Sequence, residues 1–102
     1  MSGGKFDYLQ YRFSEISDAI DSEIRNNNAE PRPKDWFTPN NFSEETLDEF
    51  RKAIFYIKKA QIYAQRVDYL LSADDGEKNF HIRLKSDLEK LKKEQWWKKY
   101  LF

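Results

Sequence analysis

The sequence predicts an all-α fold: a compact antiparallel bundle of three main helices, with a Pro-rich connector between the first two. Three observations carry that expectation. Leu9, Phe13, Ile16, Ile20 and Ile24 are spaced by four, three, four and four residues, the period of one helix face. The stretch from Ala53 to Leu71 holds more apolar and aromatic residues than a single stripe of a helix surface can carry, so that helix is expected to be covered on several sides. Ser72-Ala73-Asp74-Asp75-Gly76 then breaks the pattern sharply before a second amphipathic run begins.

Helix 1 is expected over about residues 6–27. Asp7 is a candidate N-cap, and Asn26, Asn27 and Asn28 tolerate the left-handed backbone of a helix end. The connector, residues 28–42, contains Pro31, Pro33 and Pro39, which fix their own φ and push the preceding residues toward extended backbone. Two large rings, Trp36 and Phe37, lie within it. They suit either a loop pinned across the core or an aromatic hot spot for a partner.

Helix 2, about residues 43–72, has the best-marked start. Ser43 is the N-cap, Glu44, Glu45, Asp48 and Glu49 sit near the positive end of the dipole, and Phe42 is placed to staple onto Leu47. One stripe runs through Leu47, Phe50, Ile54, Ile57, Ala64 and Leu71, and a second through Ala53, Tyr56, Ala60, Tyr63, Val67 and Leu70. Two stripes imply two neighbours. Asp74 and Glu77 have capping-box spacing for helix 3, about residues 75–99, whose core face is Phe80, Leu84, Leu88 and Leu91, with Arg83/Asp87 and Lys85/Glu89 four apart on the other faces. The tight turn makes neighbours antiparallel.

At 102 residues the chain is expected to form a single helical domain spanning 1–102. Lys plus Arg equals Asp plus Glu at 18 each, which argues against a protein that works through its overall field. The charge is unevenly spread: residues 1–30 carry 3 basic and 6 acidic side chains, whereas residues 76–102 carry 8 and 4. With no cysteine there is no disulfide and no thiolate metal site, and no apolar run approaches the roughly 18 residues of a membrane span. Met1-Ser2-Gly3-Gly4-Lys5 lacks a signal-peptide core, so a soluble protein of the cytoplasm, away from membranes, is expected.

Signals of chemistry are sparse. His81 has no second histidine and no cysteine to share a metal, and beside Phe80 it is expected to be a partly buried ring. Asp74, Asp75 and Glu77 lack the alternating spacing of a calcium loop. No phosphate-cradling glycine loop or nucleophile elbow is present, so no enzyme activity, cofactor or metal is expected. The tail mixes cations with rings: Lys90, Lys92, Lys93, Trp96, Trp97, Lys98, Lys99, Tyr100, Leu101 and Phe102. Trp96 or Trp97 and Leu101 or Phe102 suit closing the bottom of the bundle while the lysines face water. Read as a surface, Trp96, Trp97, Lys98, Lys99, Tyr100 and Phe102, with Trp36 and Phe37, are the expected partner-binding residues, for a host protein first and a homodimer second. Nucleic acid ranks last, because a chain of zero net charge leaves a weak phosphate footprint.

Ser2-Gly3-Gly4, Phe6-Asp7-Tyr8, Gln10-Tyr11-Arg12, Arg66-Val67-Asp68-Tyr69-Leu70-Leu71-Ser72-Ala73-Asp74-Asp75-Gly76-Glu77, Phe80-His81 and Arg83-Leu84 together resemble a family of short proteins found in phages and prophages. The resemblance spans both ends of the domain and implies a mobile-element origin and a single helical domain. It assigns no activity. The connector and the Trp96 to Phe102 tail depart from the family pattern.

In an antiparallel pair the start of helix 1 lies beside the end of helix 2. Asp7, Tyr8, Gln10, Tyr11, Arg12, Arg66 and Asp68 are therefore expected to cluster. The cluster reads either as a structural network, with Arg66 or Arg83 pairing Asp7 or Asp74, or as a shallow site for a small anionic ligand such as a nucleotide. The expected function is that of a non-enzymatic phage-type accessory protein, which binds a host protein, such as a component of antiviral defence, and inhibits or redirects it. Sequestration of a small nucleotide signal and nucleic-acid binding through the Lys90 to Lys99 face are the alternatives.

Overall fold

In the computed structural model residues 5–30 and 39–94 are described. They form an all-helical antiparallel bundle of α1 (Arg12–Arg25), α2 (Glu44–Leu71) and α3 (Glu77–Lys92), with a 3-10 turn, Leu9–Tyr11, leading into α1. α2 is the spine: α1 packs on one side of it and α3 on another.

α1 starts later than the sequence suggests. Asp7 and Tyr8 take φ of 52° and 63°, so Asp7 cannot cap a helix, and the Leu9 N–H closes a tight turn onto the Phe6 carbonyl at 3.0 Å. Positive φ at both central positions is the pattern of a type I′ turn. At its other end α1 stops at the asparagine triplet. Asn28 is left-handed at φ 63° and its N–H reaches the Asn40 carbonyl at 2.8 Å. Asn27 clamps the Phe42 backbone from both sides, its Oδ1 accepting the N–H at 2.9 Å and its Nδ2 donating to the carbonyl at 3.1 Å. The base of the connector is thus closed by side chains that also terminate α1.

Ser43 caps α2, accepting the Thr46 N–H, with Glu44 and Glu45 in the first turn. The Phe42 ring packs edge-on against Phe50 at 5.6 Å, one turn beyond the expected Leu47. α2 ends in a Schellman motif: the Asp74 N–H returns to the Tyr69 carbonyl at 2.9 Å and the Ala73 N–H to the Leu70 carbonyl at 3.2 Å. The left-handed position belongs to Ala73, φ 64°, where glycine is the usual residue. Gly76, extended and without a side-chain cap, precedes α3, so Asp74 closes α2 and does not cap α3.

The apolar core is small. Among the described residues only Leu47, Ile54, Phe55 and Leu91 are buried hydrophobics, with Ile20, Ile24 and Ile62 packed against the Ile54, Phe55 and Leu91 cluster. That cluster joins α3 to the middle of α2. His81 is exposed, edge-on to Phe80 at 5.0 Å, and not the partly buried ring the sequence suggests, because it points off the side of α3 away from α2. No helix among the described residues is long and apolar enough to cross a membrane.

Candidate functional site

The C-terminal half of α2 is held by polar groups. Asp68 is buried, 3% exposed, and its Oδ1 accepts the backbone N–H groups of Lys5 and Phe6, the latter at 3.1 Å. Its Oδ2 accepts from Gln10 Nε2 at 3.1 Å, and the same nitrogen donates to Gln65 Oε1 at 2.8 Å. One turn further along, Ser14 Oγ donates to Gln61 Oε1 at 3.0 Å. A carboxylate taken out of water needs such donors, and three of them satisfy Asp68.

A second knot ties α2 to α3. Arg66 Nε donates to Asp87 Oδ2 at 2.7 Å, and its Nη1 lies 3.7 Å from Asp75 Oδ2. Arg83 Nη1 donates to Asp75 Oδ1 at 2.8 Å. The Asp75 side chain is only 3% exposed, so the turn carries its acid inward between two arginines. The Arg66 guanidinium also sits over the Tyr69 ring, 5.5 Å from its centroid. Gln10 Oε1 and Asp75 Oδ2 are buried without a hydrogen-bond partner.

Between the two knots runs an open groove of about 630 Å³, floored by α2 and walled by α1 and α3. Tyr11, Ser14, Ser17 and Asp18 line it from the first wall, Lys58, Gln61, Ile62, Gln65, Arg66 and Tyr69 from the floor, and Asp87, Lys90, Leu91 and Glu94 from the second wall. Its charges balance, with Asp18, Asp87 and Glu94 against Lys58, Arg66 and Lys90. No group of three or more metal-ligating side chains lies together among the described residues.

Of the residues expected to cluster, Gln10 and Asp68 meet directly, and Tyr11 and Arg66 share the groove. Asp7 and Tyr8 are on the exposed turn, with the Tyr8 ring 6.1 Å from that of Tyr11. Arg12 is exposed and pairs with Glu15 at 3.7 Å. The acids that Arg66 and Arg83 reach are Asp75 and Asp87, not Asp7 or Asp74, and the pairing of Arg83 with Asp87 along α3 gives way to these contacts between segments. Helix 3 ends at Lys92, short of the expected residue 99, because the Lys93 and Glu94 N–H groups close three-residue turns onto the Lys90 and Leu91 carbonyls. Trp36, Phe37, Trp96, Trp97, Lys98, Lys99, Tyr100 and Phe102 lie outside the described residues.

The sequence does not single out Gln61 and Gln65, and it offers Asp75 only as part of the turn and Asp87 only as a partner of Arg83 along helix 3. A signal for Gln61 and Gln65 is present: they fall with Asp68 on one face of α2, spaced four and three, and Gln10 in the 3-10 turn, Ser14 and Ser17 repeat that spacing into α1, two polar stripes of matching period. No protein-family model matches the chain, and no curated protein or solved structure is detectably similar to it.

Proposed function

We propose that this protein is a non-enzymatic binding module that takes a segment of another protein into the groove between α1 and α3. The carrying observation is the groove itself, open along its length and lined by both signs of charge together with the Tyr11 and Tyr69 rings. Such a lining suits a peptide of mixed charge. It suits a nucleotide poorly, because Arg66 is engaged by Asp87 and Asp75 and the groove holds no excess of cations for a phosphate. The resemblance to phage and prophage proteins supplies the setting: an accessory protein that inhibits or redirects a host protein, such as a component of antiviral defence. Glu94 lines the groove, and the aromatic and basic residues expected to bind a partner, Trp96 to Phe102, follow it in the sequence.

The test is capture from host lysate with the native chain and with Tyr11→Ala combined with Lys90→Glu, both at the groove wall and exposed, so that helicity by circular dichroism should be unchanged. One host protein held by the native chain and released by the variant is the expected result. Equal capture by both would move the interface off the groove. Calorimetric titration with cyclic and linear nucleotides is expected to give no heat, and saturable micromolar binding would favour the nucleotide alternative.

A further inference from the structure

Among the described residues the second apolar stripe of α2 is covered by neither α1 nor α3: Tyr56, Ala60 and Tyr63 are exposed, and Ala53, Val67 and Leu70 half-buried. α1 takes the face that carries Ile54, Gln61, Gln65 and Asp68, and α3 with the groove takes Phe55, Ile62, Arg66 and Tyr69. What remains is Ala53, Tyr56, Ala60, Tyr63, Val67 and Leu70, on the far side of α2 from the groove, flanked by Ile57, Ala64 and Leu71. Tyr56 is 56% exposed, Tyr63 42% and Leu71 56%. No charged residue interrupts the stripe.

Its spacing is three, four, three, four, three, the seam of a coiled coil, with Ala53, Ala60 and Val67 at a and Tyr56, Tyr63 and Leu70 at d. The small residues all fall at a and the large ones at d. In a parallel pair of copies, a faces a and d faces d, so alanine layers would leave gaps and tyrosine layers would crowd. In an antiparallel pair a faces d. Ala53 then opposes Leu70, Tyr56 opposes Val67 and Ala60 opposes Tyr63, a large side chain on a small one in every layer.

We infer that the occupant of this face is a second copy of the chain, related by a two-fold axis that passes between the two α2 helices level with Gln61 and Ile62, so that the helices run antiparallel. Such an isologous contact closes on itself and leaves both grooves open on the outer sides. A tyrosine side chain buries on the order of 200 Å², so the exposed parts of Tyr56, Tyr63 and Leu71 supply roughly 300 Å² per copy. With complete cover, exposed Ala60 and the half-buried Ala53, Ala64, Ile57, Val67 and Leu70 bring this to at most about 500 Å² per copy, or about 1,000 Å² for the pair, the lower bound for a specific interface. Charge opposes the pairing to a limited extent. The g positions Lys52, Lys59 and Arg66 face the same row of the second copy. Lys52 bridges Glu49 at 3.4 Å and Arg66 bridges Asp87 at 2.7 Å within their own chain, which leaves Lys59 as the main like-charge contact, so the dimer should tighten with added salt.

The proposal goes beyond the groove reading and uses a different surface, so either can fail alone. Sedimentation velocity of the full chain should give a dimer at micromolar concentration, and Ala60→Glu, at an exposed position, should raise the dissociation constant at least about tenfold with unchanged helicity. The chain has no native cysteine, so geometry can be read by cross-linking. An equimolar mixture of Ala53→Cys and Leu70→Cys should form a mixed dimer with a short bismaleimide, and neither variant alone should cross-link to itself. A monomer across the concentration range overturns the proposal. Self-cross-linking of Ala53→Cys, the signature of a parallel pair, or a dimer indifferent to Ala60→Glu, overturns it equally.

Discussion

The two halves of α2 are held by different physics. Its first half enters through a serine cap and packs Leu47, Ile54 and Phe55 into the apolar core, where burial out of water does the work. Its second half is held by Asp68, Gln65, Gln61 and Arg66, each bonded to a polar group on a neighbouring segment. Apolar packing is non-directional and tolerates adjustment, whereas the polar half fixes register: the Gln10 amide must reach Gln65 and Asp68 together, and Asp68 has one turn to hold. The difference explains why the groove opens at the polar half. Side chains that satisfy one another across α1 and α2 do not need to exclude water, so α1 and α3 can stand apart over Gln61 and Gln65.

Phe55→Ala, in the centre of the apolar half, should give the largest loss, about 4 kcal/mol, as a fall in the urea midpoint with the transition remaining single. Asp68→Ala should cost roughly 2–3 kcal/mol, because it strips the acceptor from two backbone N–H groups and from Gln10. Asp68→Asn should cost less, since the new Oδ1 still accepts the Lys5 and Phe6 N–H groups, and its Nδ2 can donate to Gln10 Oε1 once the Gln10 and Gln65 amides turn together. Equal costs for the two substitutions would show that charge, and not acceptor geometry, holds the turn. Ala73→Gly should stabilise by about 0.5–1 kcal/mol, because it relieves the left-handed strain where α2 ends, and thermal melting would read it directly.

The helices were legible because their signals are local and repeated. Ser43, the acids after it and the periodic stripes of α2 locate that helix to within a residue at each end. The start of α1 was less legible: Asp7 looks like a cap, yet Asp68, far along the chain, binds the Lys5 and Phe6 amides and holds the chain in a left-handed turn through Asp7 and Tyr8. Competition of this kind comes from tertiary contact, and nothing in residues 5–12 announces it. The arginine partners were misassigned for a similar reason. Asp7, Asp74, Asp75 and Asp87 are equivalent as letters, and only the direction of the Schellman turn carries Asp75 inward to Arg66 and Arg83. The second stripe of α2 was read as evidence of two neighbours for that helix. α1 and α3 are both present, yet among the described residues neither covers the stripe, which makes it a third surface.

Amide hydrogen exchange, followed by residue in the native chain and in Asp68→Ala, tests the contrast between the halves most directly. The amides around Ile54 and Phe55 should exchange only through global unfolding. Those of residues 5–11 should open through a smaller local event, and in Asp68→Ala they should lose protection far more than the global shift requires. Uniform protection from residue 5 to residue 71, falling by one common factor in the variant, would contradict the account by showing that α2 is held along its whole length by a single cooperative core.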